Sequence, residues 1–250
     1  MTFNKDSNIF TFVFAISMCI FVAGVLAGTF SLLQADIKYN QSAKSMVDLL
    51  SAIEVDSSRE MAEIDFDKYI TGFIVLDSQG NKIDSLSNKT SALSIDIKKQ
   101  YKDKTLKLED KKFPLFIAQK DTSKYYIVPL VGTGLWGPIW GFISFNEDGN
   151  TIYGASFDHK SETPGLGAEI RETLFEEQFT GLKILDNETG KFKSVEVKKG
   201  GATKDEKNPN YGYEVDGITG GTITSDGVTD MLKDNLSIYS KYFKETENER

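Results

Sequence analysis

The chain has 250 residues and a mass of 27.9 kDa, and its 29 Lys and Arg residues stand against 37 Asp and Glu residues, a formal net charge of −8. This acidic balance argues against a nucleic-acid-binding protein, because such a protein needs a basic face to replace the counterions of the phosphates. The single cysteine, Cys19, and the single histidine, His159, exclude an intrachain disulfide, a cysteine-ligated metal or cluster and a histidine-rich metal site. We therefore expect neither a metal site nor a nucleic-acid partner.

An uncharged apolar run occupies residues 9–33. At about 1.5 Å per residue, a helix of this length exceeds the roughly 30 Å hydrocarbon core of a bilayer. A cleaved secretory signal has a shorter apolar region and a small-residue cleavage site, and the residues around Ala35 form a poor one. We predict a retained membrane helix over residues 9–33 after a short tail of residues 1–8.

A connector helix is predicted within residues 34–60. Four apolar residues recur there at the spacing that places them on one helix face: Met46, Leu49, Leu50 and Ile53. Residues 61–130 are then expected to form a membrane-proximal α+β part. Its predicted strands lie at residues 69–76, 82–86, 113–119 and 125–130, and the polar stretch 87–112 is typical of loop and weak helix.

The next part, residues 131–244, is predicted to add a hairpin whose strands, 139–145 and 151–156, bracket the polar turn 146–150. Helical spacing of Ile170, Leu174 and Phe175 precedes two further predicted strands at residues 182–185 and 192–197. The last predicted helix, residues 225–243, has one apolar side formed by Val228, Leu232, Leu236, Tyr239 and Phe243. Residues 245–250 are expected to be a disordered tail. Strands in hairpins with helices set apart indicate an α+β fold, with a hairpin-rich antiparallel sheet and flanking helices.

The most informative segment lies immediately before the last predicted helix and combines glycines with hydroxyl side chains. It runs Asp216-Gly217-Ile218-Thr219-Gly220-Gly221-Thr222-Ile223-Thr224. Two consecutive glycines allow a close backbone approach, and the free N–H groups of a helix start suit a phosphate. The alternative is a plain helix-start turn with Ser225 or Asp226 as N-cap, and the residues alone leave both interpretations open.

Two other glycine-rich segments precede this one in the chain. They are Gly134-Leu135-Trp136-Gly137 and Glu162-Thr163-Pro164-Gly165-Leu166-Gly167. On local grounds, the first is a glycine-rich connection into a strand, and the second is a turn with proline and glycine at its central positions.

The segment that contains Thr222 resembles the flavinylation motif of the FMN-binding domain family. In that family FMN is joined through its phosphate to the motif threonine by a separate FAD-dependent flavin transferase, which implies Thr222 here. Other cofactor contacts are implied for residues of the same motif, namely Asp216, Gly217, Thr219, Gly220, Gly221 and Thr224. Serine is common at the position of Thr219 and alanine at that of Gly221, and both departures preserve small size.

The three segments, in this order after an apolar N-terminal run, resemble the C-subunit family of the Na⁺-translocating NADH:quinone reductase. The resemblance implies an isoalloxazine-holding wall built from Glu162, Thr163, Gly165, Leu166 and Gly167. It also implies that Leu135 and Trp136 shield the ring and that Lys198 balances flavin or phosphate charge. His159, beside this predicted pocket, is more typical of a solvated loop histidine than of a catalytic base.

The function implied by the resemblance is electron transfer by a membrane-anchored protein with covalently bound FMN in a respiratory Na⁺ pump. Electrons would pass between flavin and iron–sulfur centres of partner subunits towards ubiquinone, with no catalytic side chain and no complete activity in this chain alone. The resemblance implies a location in the bacterial inner membrane, and the short tail before the apolar run favours a periplasmic position for the larger part. Three alternatives stay open: the G subunit of the Rnf electron-transport complex, an extracytoplasmic ligand-sensing domain, and an assembly protein with a decayed flavin site.

Overall fold

The computed structural model describes residues 7–83 and 95–248. The chain divides into two compact units, Met1–Ala43 and Lys44–Arg250. Helix α1, Asn8–Ser51, begins in the first unit and ends in the second, and its length and composition are sufficient to cross a membrane. No proline or glycine interrupts residues 29–51, so the predicted apolar helix and the predicted connector helix form one continuous helix, which ends well before residue 60.

The main sheet of the second unit has five antiparallel strands in the order β1-β2-β3-β4-β5. The strands are β1 Ile70–Leu76, β2 Phe113–Lys120, β3 Ser123–Thr133, β4 Pro138–Phe145 and β5 Ile152–His159. The turn between β4 and β5 is fixed by Asp148, whose carboxylate accepts hydrogen bonds from the backbone N–H groups of Asn150 and Thr151. The predicted α+β fold class is therefore confirmed, and the predicted strands 113–119 and 125–130, and 139–145 and 151–156, pair with each other as antiparallel neighbours.

The helices that flank this sheet are short, with one exception. They are α2 Ala62–Tyr69, α3 Ile97–Lys102, α4 Thr173–Glu176 and the long α5 Thr222–Asn248. In the region of the predicted helix around Ile170, three short helical turns replace a regular helix, and Leu174 lies 83% exposed instead of facing the core. The helix predicted from residue 225 begins three residues earlier and continues through Asn248, so residues 245–248 are helical instead of disordered.

The sheet is covered on both faces. On one face, α5 supplies the apolar side predicted from its sequence to a buried cluster that includes Val128, Leu130, Ile143, Leu232, Leu236 and Tyr239. On the other face, the end of α1 and α2 pack against the strands. Phe66 contacts Phe116 with ring centroids 6.3 Å apart, and the Ser144 hydroxyl donates to the carbonyl oxygen of Ala52. Met46, Leu49, Leu50 and Ile53 are buried, as their spacing predicts.

Three strand predictions differ from the structure. Of the strands predicted at residues 182–185 and 192–197, only residues 196 and 197 lie in a strand, and the chain otherwise forms single bridges between Leu185 and Phe192 and between Thr151 and Lys183. A short parallel pair, β6 Glu196–Lys198 with β7 Glu214–Asp216, lies nearby. Strand β3 runs continuously through residues 130 and 131, so both predicted parts contribute to one sheet. The return strand predicted at 82–86 is a single bridge at Lys82 among described residues, and its residues 84–86 lie outside them.

Candidate functional site

The three glycine-rich segments of the sequence meet at one end of the sheet. Residues 134–137 join β3 to β4, residues 160–166 follow β5, and residues 217–221 lead from β7 into α5. Neighbouring strands place the first two segments side by side, and the Ser161 hydroxyl donates to the carbonyl oxygen of Trp136 at 3.2 Å. Helix α5 packs on β3, where Asn235 Nδ2 donates to the carbonyl oxygen of Val131 at 3.0 Å. The fold therefore brings the third segment to the other two.

Glu162 connects all three segments through its side chain, which is almost completely buried, with 4% of the residue exposed. Its Oε1 accepts the backbone N–H of Trp136 at 2.8 Å, and its Oε2 accepts the hydroxyl of Thr224 at 2.7 Å. An added Cβ at Gly134 or at Gly167 would lie 2.7 Å from one of these oxygens. Side chains at these two glycines would therefore collide with the carboxylate, which explains why both segments carry glycine there.

Thr222 is the first residue of α5 and is half-buried. The first helical hydrogen bond runs from the Ser225 N–H to the Gly221 carbonyl oxygen at 2.9 Å. The N–H groups of Thr222, Ile223 and Thr224 precede this bond and contribute the positive potential of a helix N-terminus. Ser225 is not the N-cap that the sequence suggested, since it lies in the first turn and its hydroxyl accepts the Ile218 N–H at 3.2 Å.

An exposed apolar surface lies around this helix start. We define the apolar surface as Leu135, Trp136, Leu166 and Ile223, which are between 40% and 64% exposed. Leu166 lies over Gly220, because a Cβ added at Gly220 would be 2.6 Å from Leu166 Cδ2. Gly220 also has a φ of +75°, which glycine adopts without strain. Gly220 therefore serves both a tight turn and a close side-chain approach, and a plain helix start requires neither.

Other residues of the predicted cofactor set are engaged within the protein. Asp216 accepts the Ala202 N–H at 2.7 Å, and the Thr224 hydroxyl is committed to Glu162. Lys198 Nζ lies 3.1 Å from Glu196 and 3.7 Å from Glu214, and the hydrogen bond to Glu196 raises the pKa of its ammonium group. The charge of Lys198 is thus directed at two carboxylates.

The loop of residues 163–167 is held by its own hydrogen bonds. The Thr163 carbonyl oxygen accepts the N–H groups of Leu166 and Ala168, and the Gly165 N–H donates to Glu169 at 2.8 Å. Gly165 has a φ of +75° and, like Thr163, is exposed. Gly217 lies on the opposite segment, where its N–H donates to the Lys198 carbonyl oxygen at 2.9 Å. Thr219 is exposed at the turn before Gly220.

His159 is half-buried and is not the solvated loop residue that the sequence suggested. Its Nδ1 accepts the backbone N–H of Glu162 at 3.1 Å. An accepting nitrogen carries no proton, so the proton of the neutral ring lies on Nε2. Nε2 is buried and has no hydrogen-bond partner among the residues that the structure describes. His159 therefore supports the backbone of Glu162.

Sequence reasoning missed Ile223 as part of the apolar surface, although its position offers a signal. It is a large apolar residue in a segment of threonines and glycines, and it lies 57% exposed at the helix start. An exposed apolar surface beside a helix N-terminus fits a flat aromatic group that carries a phosphate. These residues are able to hold FMN, which needs both features.

A family model described as the FMN-binding domain matches residues 134–237, a range that contains all the predicted cofactor residues. The C subunit of the Na(+)-translocating NADH-quinone reductase of Chlamydia trachomatis is 38% identical over 45% of this chain and 38% of its own length. The corresponding C subunit of Vibrio anguillarum is 28% identical over 91% of this chain and 90% of its own.

A crystal structure of the C subunit from Parabacteroides distasonis superposes with a TM-score of 0.72 at 38% identity. The superposition covers 84% of this chain and 96% of that one, and includes more than the matched domain. The chain therefore belongs to the C-subunit family of the Na⁺-translocating NADH-quinone reductases, and it contains that family's FMN-binding domain.

Proposed function

We propose that this chain carries FMN bound covalently through a phosphoester to Thr222 and transfers electrons within a Na⁺-translocating NADH:quinone reductase. The observation that carries the proposal is the position of Thr222, half-buried at the first residue of α5 and next in sequence to Ile223 of the apolar surface. The helix N-terminus stabilises the negative charge of a phosphodiester, and the apolar surface covers part of a flavin ring.

The attachment requires a separate flavin transferase that uses FAD. The Thr222 oxygen forms a bond to the phosphorus of the FMN half, the pyrophosphate bond of FAD breaks, and AMP leaves. The threonine proton passes to a base, and no oxidation or reduction takes place. The partial exposure of Thr222 and the exposed turn at Thr219 and Gly220 allow another protein to reach the hydroxyl.

Once attached, FMN supplies the redox chemistry, and this chain orients the ring and controls its access to water. Leu135, Trp136 and Leu166 are proposed to contact the ring, and the loop of Thr163, Gly165 and Gly167 to border it. Gly220, Gly221 and Gly217 shape the backbone around the phosphate. Among residues 7–83 and 95–248 no group of three or more His, Cys, Asp or Glu side chains is placed to hold a metal ion. We therefore assign the NADH-oxidising and iron–sulfur centres, and the quinone, to partner subunits.

We assign residues 9–33 to the bacterial inner membrane and residues 131–244 to an FMN-binding domain on the periplasmic side. The apolar helix supports the first assignment, and covalent attachment supports the second, because a tethered cofactor is retained where free FMN is scarce. Relatives named as C subunits of the reductase favour this assignment over the Rnf protein, and the geometry around Thr222 favours it over a ligand sensor.

The covalent bond is tested by flavin fluorescence of the denatured full chain after gel electrophoresis, following co-expression with the transferase. We expect a fluorescent wild-type band and a dark band for Thr222→Val, which keeps the size of the side chain but removes the hydroxyl. Thr229→Val is the matched control, because Thr229 lies on the same helix and its hydroxyl bonds the Val197 N–H outside the site. A dark wild-type band, or a fluorescent Thr222→Val band, contradicts the proposal.

The periplasmic placement is tested by replacing the single cysteine and introducing one new cysteine at a chosen position. In a Cys19→Ser background, Thr180→Cys introduces a thiol at an exposed position of the second unit. A membrane-impermeant maleimide is expected to label it in intact spheroplasts. Ser7→Cys, before α1, is the opposite-side control and is expected to react only after lysis. Labelling of Thr180→Cys only after lysis would place this unit in the cytoplasm.

A further inference from the structure

We infer that Glu162 is a positioning residue that fixes the apolar surface relative to the flavin-bearing turn of α5. The inference rests on the proposed function, since it concerns how the Thr222 site is held. The resemblance placed Glu162 among residues around the isoalloxazine ring. The structure assigns it a different role, because both carboxylate oxygens already accept donors from the protein.

The two bonds of Glu162 reach the two halves of the site. Oε1 holds the backbone of Trp136, and with it the connection that presents Leu135 and Trp136. Oε2 holds Thr224, which lies two residues after Thr222 in the first turn of α5. One side chain therefore spans the separation between the first turn of α5, which carries Thr222, and the part of the apolar surface formed by Leu135 and Trp136.

The surroundings of the carboxylate leave it little room to move. Gly134 and Gly167 pack against its oxygens so closely that a Cβ at either position would collide with them. On the backbone side, the Glu162 N–H is fixed by Nδ1 of His159 at the end of β5. His159 thus anchors Glu162 to strand β5. Glu162 acts on the cofactor through Trp136 and Thr224 and does not contact the cofactor itself.

Burial of a carboxylate is costly unless its oxygens are compensated by hydrogen bonds. An apolar residue in the same space would avoid this cost, but it would leave the Trp136 N–H and the Thr224 hydroxyl without an acceptor. Truncation to alanine therefore releases both halves of the site at once. Glutamine retains both contacts, because its carbonyl oxygen accepts the Trp136 N–H and its amide donates to the Thr224 oxygen.

The test compares Glu162→Ala, Glu162→Gln and Thr224→Val in the full chain, expressed with the transferase. The rate of flavin attachment and the visible circular dichroism of the attached flavin are measured on folded protein. We expect Glu162→Ala to slow attachment about tenfold, the loss that corresponds to roughly 1.4 kcal/mol, and to weaken the flavin signal. Thr224→Val is expected to change both readouts in the same direction, and Glu162→Gln to retain both.

The controls separate this role from general stabilisation. Glu176→Gln alters a half-buried carboxylate that also accepts a backbone N–H, from Phe157 at 2.6 Å, and is expected to leave attachment and flavin signal unchanged. Thr224 acts only through its bond to Glu162, which Glu162→Ala already removes. The double variant Glu162→Ala/Thr224→Val is therefore expected to attach flavin no more slowly than Glu162→Ala.

Wild-type rates and signals in Glu162→Ala or in Thr224→Val overturn the inference while leaving covalent flavin intact. An unlabelled wild type overturns the proposed function instead. If Glu162→Ala does not fold, Thr224→Val and Glu162→Gln decide. The inference then stands only if Thr224→Val slows flavin attachment and weakens the flavin signal while Glu162→Gln retains both.

Discussion

The backbone of Gly227 in α5 lies directly against the carbonyl oxygen of Thr133 at the end of β3. An added Cβ at Gly227 would overlap this oxygen and would also come within 3.4 Å of Gly134. The close approach brings the first turns of α5 to the loop that carries Leu135 and Trp136. A single glycine therefore determines how near the helix start lies to the apolar surface.

Gly227→Ala is expected to destabilise the protein. In an exposed helix interior, alanine stabilises by about 1 kcal/mol relative to glycine, so the usual sign is the opposite. Here the methyl group meets backbone that cannot move independently, and overpacking costs about 1–3 kcal/mol. Urea unfolding of the detergent-solubilised chain measures the change. Gly72→Ala is the control, because the nearest atom to its added Cβ is 3.9 Å away, and an equally stable Gly227→Ala protein would contradict this packing argument.

Most of the fold is predictable because its strands and helices carry regular apolar periodicity. The side of α5 formed by Val228, Leu232 and Leu236 is buried as its spacing predicts. The parallel pair of β6 and β7 was missed because each strand has only three residues, too few to establish an alternating pattern. The continuity of α1 was also missed, since a change from apolar to amphipathic sequence looks like a boundary although the backbone has no reason to break there.

At the candidate site, sequence patterns indicated which segments matter but not how they contact one another. The Glu162 bond to Thr224 joins residues 62 positions apart, and local sequence carries no signal for it. The sequence predicts a start of α5 that is three residues too late, because serine and aspartate are strong N-cap residues. In the structure the Ser225 hydroxyl instead accepts the Ile218 N–H from within the helix.

Tyr239→Phe is expected to cost about 1–2 kcal/mol of unfolding free energy. Tyr239 is completely buried, and its hydroxyl donates to the carbonyl oxygen of Pro114 in β2 at 3.0 Å. Phenylalanine keeps the ring contacts but leaves a buried carbonyl oxygen without its donor. Urea unfolding measures the loss, and Tyr211→Phe, at an exposed tyrosine, is the control. A loss of unfolding free energy no larger than that of the control would show that the hydrogen bond makes no net contribution to stability.

The carboxyl group of Glu176 is expected to make stability fall as the pH rises. Burial raises its pKa from 4.5 to about 7, nearby Asp48, Glu172 and Asp158 add to the rise, and the hydrogen bond from the Phe157 N–H opposes it. Between pH 4.5 and 7 the folded protein therefore binds more protons here than the unfolded chain. The resulting loss of stability across this window is on the order of 2 kcal/mol, reduced from the full shift by partial exposure.

Glu176→Gln removes this titration, so its stability relative to wild type is expected to improve steadily as the pH rises from 4.5 to 7. Unfolding curves at several pH values measure the difference. Glu177→Gln, at the exposed neighbouring position, is expected to show no such trend. A constant difference between Glu176→Gln and wild type over the whole range would mean that the folded and unfolded states bind the proton equally.

Lys98 is expected to produce the opposite slope at higher pH. Its ammonium group lies 3.5 Å from the ring centroid of Trp140, and burial lowers its pKa from 10.5 to about 8, although Asp158, Asp48 and Asp96 oppose this change. Between pH 8 and 10.5 the unfolded chain binds more protons at this site, so the contribution of Lys98 to stability rises with pH. Lys98→Met is expected to abolish that rise in unfolding experiments, whereas Lys99→Met, at a highly exposed lysine, retains it. A wild-type pH dependence in Lys98→Met would show that the ammonium group is as well solvated in the folded protein as in the unfolded chain.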